Sequence, residues 1–135
     1  MLHLFPSNQH FTIEQLKAGE HASTALNLTE NERATLAFCG EWLNGAASFT
    51  INTSGSTGAP KAIAVSRQQM EASASATAAA VGLQPGMHAL VCMPARFIAG
   101  RMMLVRGFVV GMEMTVIEPS SNPLAHLPPA SHFDF

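Results

Sequence analysis

Two short stretches of alternating residues on either side of one small-residue loop constrain the fold more than any other feature of this sequence. In residues 48–52, Phe49 and Ile51 alternate with polar residues, so both side chains lie on one face of an extended strand. Residues 61–65 repeat the pattern with isoleucine and valine. Two such strands around a loop rich in glycine and serine predict a β-hairpin over these segments.

Helix-start signals occur at three positions. Ser66 and the glutamine three residues later form a capping box, which predicts a helix over about residues 67–81. Thr12 and Thr29 precede two further helical patterns. Residues 1–46 are therefore predicted to be a helical N-terminal segment that carries no chemistry.

Two apolar runs on either side of a helical pattern predict a strand–helix–strand unit of an α/β fold. The runs are residues 88–93 and 112–117, and residues 97–110 between them are long enough for a helix. Because both runs have the composition of buried strands, a parallel pair with a crossover connection is favoured. Ligands of parallel sheets bind beyond the carboxyl ends of the strands, so we expect a cleft bordered by residues 94–96 and 119–122.

The loop between the two hairpin strands has the composition of a polyphosphate site. Its glycines allow backbone angles that are closed to other residues, so successive N–H groups can turn toward one anion. Hydroxyl groups add donors, and Lys61 adds a mobile positive charge. The candidate phosphate-binding residues are Thr53, Ser54, Gly55, Ser56, Thr57, Gly58 and Lys61.

Other glycine-rich loops fit this spacing poorly. A Walker loop places Gly-Lys before Ser or Thr, whereas Lys61 follows Pro60 and precedes Ala62. A dinucleotide fingerprint needs three glycines before a helix. Residues 55–58 formally match the Gly-x-x-Gly loop of a KH domain, which the net charge of −2 argues against. For Gly-x-x-Gly alone, an ordinary serine- and glycine-rich hairpin loop is the simpler alternative.

The full string Thr53-Ser54-Gly55-Ser56-Thr57-Gly58-Ala59-Pro60-Lys61 resembles the phosphate-loop motif of the adenylate-forming enzymes, which include acyl-CoA synthetases, luciferases and peptide-synthetase adenylation domains. Within that superfamily, residues 97–106 and 118–124 look most like the O-succinylbenzoate–CoA ligases of menaquinone synthesis. The resemblance implies that residues 47–135 are a partial AMP-binding subdomain with a mostly parallel sheet, truncated at its C-terminal end. Residues 1–46 carry the resemblance only loosely.

The resemblance implies an ATP-dependent ligase that works in two steps. A carboxylate attacks the α-phosphate of ATP in the presence of Mg²⁺, and coenzyme A then displaces AMP to form a thioester. The expected partners are therefore small molecules, namely ATP and a carboxylic acid such as O-succinylbenzoate. The loop over residues 53–61 would hold the β- and γ-phosphates by positioning and charge neutralisation.

Two residues are candidates for contact with the acyl group. Phe97 stands where many relatives carry His in the string Leu-Pro-Leu-Phe-His-x-x-Gly, so an aromatic wall remains without the polar side chain. Arg106 matches a position where the similar ligases also carry Arg, and it is suited to the carboxylate that does not react. The simpler alternative is that Arg106, like Arg96 and Arg101, edges a buried helix and reaches solvent.

Composition narrows the range of partners. Charged residues make up 12% of the chain and form no basic stripe, which argues against nucleic acid. The longest uncharged stretch, residues 72–95, is broken by Gln84-Pro85-Gly86 and is not typical of a membrane span. The six histidines lack metal-ligand spacing, so no metal site is predicted. Cys39 and Cys92 lie far apart in sequence, which is typical of reduced thiols in a cytoplasmic protein.

We expect this chain alone to be inactive. Related ligases use an acid that holds the ribose, a Thr-Glu pair for AMP and Mg²⁺, and a late Lys. None can be assigned here, because the single Asp is Asp134 and the last Lys is Lys61, so the catalytic residues stay unassigned. Residues 133–135 predict the opening of a strand, whose free edge favours self-association. Three functions stay open: part of such a CoA ligase, an adenylation domain for another acid, and a non-catalytic nucleotide-binding module.

Overall fold

The computed structural model describes residues 1–20, 27–53, 59 and 61–135. Within these ranges, the chain forms a mixed α/β fold. Its elements, in chain order, are β1 (Leu2–Leu4), β2 (Gln9–Phe11), α1 (Ile13–Ala18), α2 (Glu30–Leu43), β3 (Ser48–Thr53), β4 (Lys61–Ser66), α3 (Arg67–Val81), β5 (His88–Val91), α4 (Ile98–Val110) and β6 (Glu113–Val116).

A four-stranded, mostly parallel sheet contains the predicted strand–helix–strand unit. Its strand order is β2–β1–β6–β5, and β6 runs parallel to both of its neighbours. His88 of β5 pairs with Glu113 of β6, and Val91 pairs with Val116, so the predicted parallel pair is confirmed. Strand β2 lies antiparallel to β1 at the edge of the sheet.

The N-terminal segment departs in part from its prediction. Helices α1 and α2 begin after Thr12 and Thr29 as expected, and both cap residues complete capping boxes. However, residues 1–46 also contribute strands β1 and β2, so the description of this segment as helical is corrected. Each strand has three residues, so the alternation in Leu2-His3-Leu4 is too short to distinguish a strand from other structure. Leu2 and Leu4 of β1 are buried in the core, and β6 supplies the hydrogen-bond partners.

The predicted hairpin and the helix after it are confirmed. Strands β3 and β4 are antiparallel, with Ser48 opposite Ser66 at one end and Thr53 opposite Lys61 at the other. Helix α3 then begins directly after β4, and the Ser66 hydroxyl caps it. The helix ends at Gly82, whose φ of +72° favours glycine. The glycine-rich loop therefore leads into a strand and not into a helix.

Aromatic packing and one arginine fix the hairpin against helix α2. Phe49 of β3 has its ring centre 5.6 Å from that of Trp42 and 5.2 Å from that of Phe38, and all three side chains are buried. Arg67 Nη1 donates a 2.7 Å hydrogen bond to the Trp42 carbonyl, and the guanidinium lies 4.1 Å from the indole centre. Such a cation–π contact adds to the burial of the aromatic rings. The direction of the hairpin is therefore set by the N-terminal part of the chain.

Two glycines let helix α4 pack closely against its neighbours. A Cβ on Gly100 would overlap the carbonyl oxygen of Pro94 and would lie 2.6 Å from that of Met93. A Cβ on Gly107 would lie 2.7 Å from Cγ of Met114 on β6. Both approaches are closer than real Cβ contacts allow, so α4 packs directly on the loop after β5 at Gly100 and on β6 at Gly107.

The last residues run along the outer edge of β5. The Leu90 N–H donates to the Phe135 carbonyl at 2.8 Å, and the Phe135 N–H donates to the His88 carbonyl at 3.3 Å. These bonds hold Phe135 beside β5, although no strand is assigned to residues 133–135. The Asp134 carboxylate also accepts a 2.9 Å bond from the His88 N–H.

Candidate functional site

The hairpin presents the two ends of the predicted phosphate loop side by side. Thr53 and Lys61 form the last backbone pair of β3 and β4, and the Lys61 side chain is exposed. The predicted contacts of Ser54, Gly55, Ser56, Thr57 and Gly58 lie outside the described residues, as does the side chain of Thr53. The geometry therefore supports the position of the loop, while the phosphate contacts themselves stay predictions.

A cleft lies at the carboxyl ends of the parallel strands, where the sequence pattern predicted one. It has a volume of about 280 Å³. Its lining comes from the start of α2, the loop after β5 and the segment after β6, and consists of Glu30, Asn31, Ala34, Pro94, Arg96, Glu118 and Pro119. A second cavity of about 270 Å³ follows at the same edge of the sheet, lined by Phe5, Pro6, Ile117, Glu118, Pro123, His126 and Leu127.

Hydrogen bonds from the start of helix α2 hold the walls of the cleft together. The Thr29 hydroxyl donates to Oε1 of Glu118, and Oδ1 of Asn31 accepts a 3.1 Å bond from the Ala95 N–H. Among the described residues, Nδ2 of Asn31 is buried without a hydrogen-bond partner. Sequence reasoning missed Glu118 and Asn31, because their contacts join segments that are more than sixty residues apart.

Charges of both signs line this cleft. Glu30 and Glu118 contribute carboxylates, and Arg96 contributes an exposed guanidinium that lies 4.7 Å from the Phe97 ring centre. A guanidinium at the mouth of a concave site suits an anionic ligand, because it can bond two oxygens of one carboxylate. Arg96 therefore gives the cleft one group that can bond an anion, whereas Glu30 and Glu118 would repel it.

The structure places the two predicted acyl contacts far from each other. Phe97 is half-buried at the N-cap of α4, where its N–H donates a 3.1 Å bond to the Pro94 carbonyl. Arg106 lies eight residues after Ile98, a rise of about 12 Å along the helix. Its Nη1 lies 3.8 Å from the Met103 sulfur, and its Nε is buried without a partner among the described residues. Neither Phe97 nor Arg106 lines the two cavities, so both assignments stay predictions.

The cysteines and acidic groups offer no further chemistry. Cys39 is fully buried, and burial raises the pKa of its thiol, which keeps it protonated and unreactive. Cys92 is a half-buried free thiol. In the part of the chain that the structure describes, no group of three or more His, Cys, Asp or Glu side chains is arranged to hold a metal ion.

The family of the chain follows from comparison with known proteins. The model of a family described as AMP-binding enzyme matches residues 15–130, so the chain belongs to the AMP-binding enzyme family. Its fold matches the N-terminal part of an AMP-forming acyl-CoA synthetase. The matching crystal structure is described as an acyl-CoA synthetase (AMP-forming)/AMP-acid ligase II-like protein from Dyadobacter fermentans DSM 18053.

The match to that crystal structure is close but covers only part of the larger protein. The two sequences are 48% identical, and the TM-score is 0.76. The alignment covers 81% of this chain and 31% of the Dyadobacter chain. No curated protein matches the sequence. Among the described residues, no helix has the length and apolar character needed to cross a bilayer.

Proposed function

We propose that this chain is the phosphate-binding part of an ATP-dependent carboxylate–CoA ligase. One observation carries the proposal. The family string begins and ends on the final backbone pair of a hairpin, Thr53 and Lys61, so its two ends lie side by side. A loop of glycine and hydroxyl residues beside a lysine can turn several donors toward one polyphosphate. Within this proposal, the contacts are made by Thr53, Ser54, Gly55, Ser56, Thr57, Gly58 and Lys61.

The proposed reaction begins with adenylation. A carboxylate oxygen attacks the α-phosphate of ATP, and pyrophosphate leaves while loop donors and Lys61 neutralise its charge. Coenzyme A sulfur then attacks the acyl carbon, and AMP leaves. Mg²⁺ would share the charge of the phosphates, and among the described residues no group of three or more His, Cys, Asp or Glu side chains is arranged to hold it in advance. No role is therefore assigned to Mg²⁺ or coenzyme A ligands in this chain.

We further propose O-succinylbenzoate as the acid. Two segments support this, because residues 97–106 and residues 118–124 both resemble ligases for that acid, and Glu118 and Pro119 of the second segment line the cleft. Phe97 would form an aromatic wall, and Arg106 would pair with the carboxylate that does not react. The structure favours Arg96 more than Arg106 for that second role, because Arg96 lines the cleft.

The same proposal includes the organisation and location of the protein. Residues 1–46 and 47–135 would act as a supporting segment and an adenylation subdomain. The supporting segment contacts the hairpin through Trp42, and the subdomain contains the loop. A cytoplasmic location would suit the use of ATP and the two free cysteines, Cys39 and Cys92.

A nucleotide titration tests the phosphate-binding proposal. The chain contains one tryptophan, Trp42, which stacks on the hairpin, so its fluorescence can report binding of MgATP. We expect Gly58→Val to weaken binding at least about tenfold, because an added branched side chain spoils the turn of the N–H groups. The matched control is Ala62→Val, which places the same final side chain at an exposed position of β4, where β-branched residues fit well.

A turnover assay separates binding from catalysis. We expect no ATP–pyrophosphate exchange by this chain alone with O-succinylbenzoate or other acids, because no ribose-binding acid or late Lys can be assigned in it. If the chain binds MgATP without turnover, two hypotheses remain: the chain is part of a ligase, or it is a non-catalytic nucleotide-binding module. Exchange that appears when the remaining part of a ligase is added would then favour the ligase.

Equal MgATP affinity of wild type and Gly58→Val would contradict the proposed role of the loop.

A further inference from the structure

Arg101 connects three parts of the molecule that lie far apart in sequence. Its Nε donates a 2.9 Å hydrogen bond to the Ala95 carbonyl, and its Nη1 donates a 3.2 Å bond to the Thr50 carbonyl. Its Cζ also lies 5.2 Å from the centre of the Phe38 ring. One guanidinium on α4 therefore contacts the loop after β5, strand β3 and helix α2.

The environment of Arg101 differs from that of an arginine that only reaches solvent. The residue is half-buried, and burial lowers the pKa of its guanidinium, while the negative charge of Glu41 acts in the opposite direction. Arginine keeps its charge under such conditions, so both hydrogen bonds are charge-assisted. The sequence-based alternative, in which Arg101 merely edges the helix, is therefore not what the structure shows.

Each of the two acceptors lies near a different proposed binding region. Thr50 lies three residues before Thr53, so the bond is about 10 Å along the strand from the start of the phosphate loop. Ala95 lies between Pro94 and Arg96, which line the cleft, and its own N–H is held by Asn31. Arg101 thus connects the strand that carries the phosphate loop with the segment that borders the cleft.

We propose that Arg101 is a positioning residue that fixes the phosphate-binding hairpin relative to the carboxylate cleft. This inference rests on the proposed function. Adenylation joins a carboxylate to the α-phosphate, so the two binding regions must keep a set separation, and small displacements lower the rate strongly. Both acceptors are main-chain carbonyls. The planar guanidinium has several donors and can bond both carbonyls at once, whereas a lysine ammonium cannot reach both in the same way.

Three variants of the 135-residue chain test the proposal. Arg101→Met removes the charge and keeps much of the side-chain length. Arg101→Lys keeps the charge but lacks the two-armed guanidinium. The control Arg33→Met removes the same charge from an exposed position on α2. Circular dichroism identifies a temperature at which every variant is folded. At that temperature we would measure hydrogen exchange of the ligand-free chain and titrate MgATP against Trp42 fluorescence.

We expect faster hydrogen exchange only in the segments around Arg101, and weaker MgATP binding only in the Arg101 variants. Exchange should become faster in residues 48–53, 61–66 and 94–97, and the Kd for MgATP should rise about tenfold in both Arg101 variants, because a charge-assisted bond is lost in each. Arg33→Met should match wild type in both measurements. A purely structural role would speed exchange throughout the chain and leave the Kd of the folded protein unchanged.

Two outcomes would overturn the inference, and they differ. If wild type and both Arg101 variants bind MgATP with equal affinity, the positioning role is wrong while the phosphate-binding proposal stands. If wild type itself does not bind MgATP, the proposed function fails and the positioning role fails with it. If Arg101→Met does not fold, Arg101→Lys alone decides the question, because it keeps the charge and most of the packing.

Discussion

The substitution Gly100→Ala tests whether close packing of helix α4 on the preceding loop leaves no room for a side chain at this position. The new Cβ would overlap the Pro94 carbonyl oxygen and lie 2.6 Å from the Met93 carbonyl oxygen. Both obstacles are backbone atoms, so no rotamer change relieves the overlap. Alanine gains about 1 kcal/mol over glycine in a helix, whereas overpacking costs about 1–3 kcal/mol, with a rigid backbone at the upper end.

The net loss for Gly100→Ala should therefore be about 1–2 kcal/mol in the free energy of unfolding. For 135 residues, an unfolding entropy of about 0.28 kcal/mol/K follows from the usual value per residue, so the Tm should fall by about 4–7 °C. Thermal unfolding followed by circular dichroism measures this shift, and urea unfolding at 25 °C checks it.

Gly107→Ala is the matched comparison on the same helix. There the added Cβ would overlap Sδ of Met114 and lie 2.7 and 2.9 Å from its Cγ and Cε. A methionine side chain can change rotamer, so this variant should lose less than half as much stability. If Gly100→Ala is as stable as wild type, or loses less free energy of unfolding than Gly107→Ala, then the backbone at Pro94 does not resist the added Cβ.

Two further predictions concern pH and self-association. Burial, together with the nearby His10, lowers the pKa of His3 from 6.5, whereas Glu113 opposes the shift. Below about pH 6.5 the unfolded chain therefore binds more protons at His3 than the folded chain does, so this residue makes the free energy of unfolding fall as the pH falls. In urea titrations from pH 8 to about 5, His3→Asn should flatten this fall and His132→Asn should not; equal slopes would refute the assignment. Ile63 is 47% exposed on β4, and β3 is the sole strand partner of β4 among the described residues. The other edge of β4 can therefore pair with a second copy of the chain, so light scattering should show that the average mass rises with concentration. Ile63→Lys should suppress this rise. A strictly monomeric wild type would contradict this.

Local sequence determined the elements whose signals are complete within a few residues. The hairpin follows from period-two alternation on both sides of one loop, and the three capping boxes at Thr12, Thr29 and Ser66 each set a helix start. The parallel pair β5 and β6 follows from two buried runs around a helix. These features could be predicted because the physical cause of each, a side-chain period or a cap, lies inside the segment itself.

Tertiary structure alone decided the features that depend on contacts between distant segments. Strand β1 has three residues and no signal of its own, and it forms because β6 offers hydrogen bonds and the core accepts Leu2 and Leu4. The cleft needs Asn31 beside Ala95 and Thr29 beside Glu118. Arg101 could be recognised only from its two carbonyl partners, since an arginine on a helix has the same sequence signature whether it meets solvent or backbone.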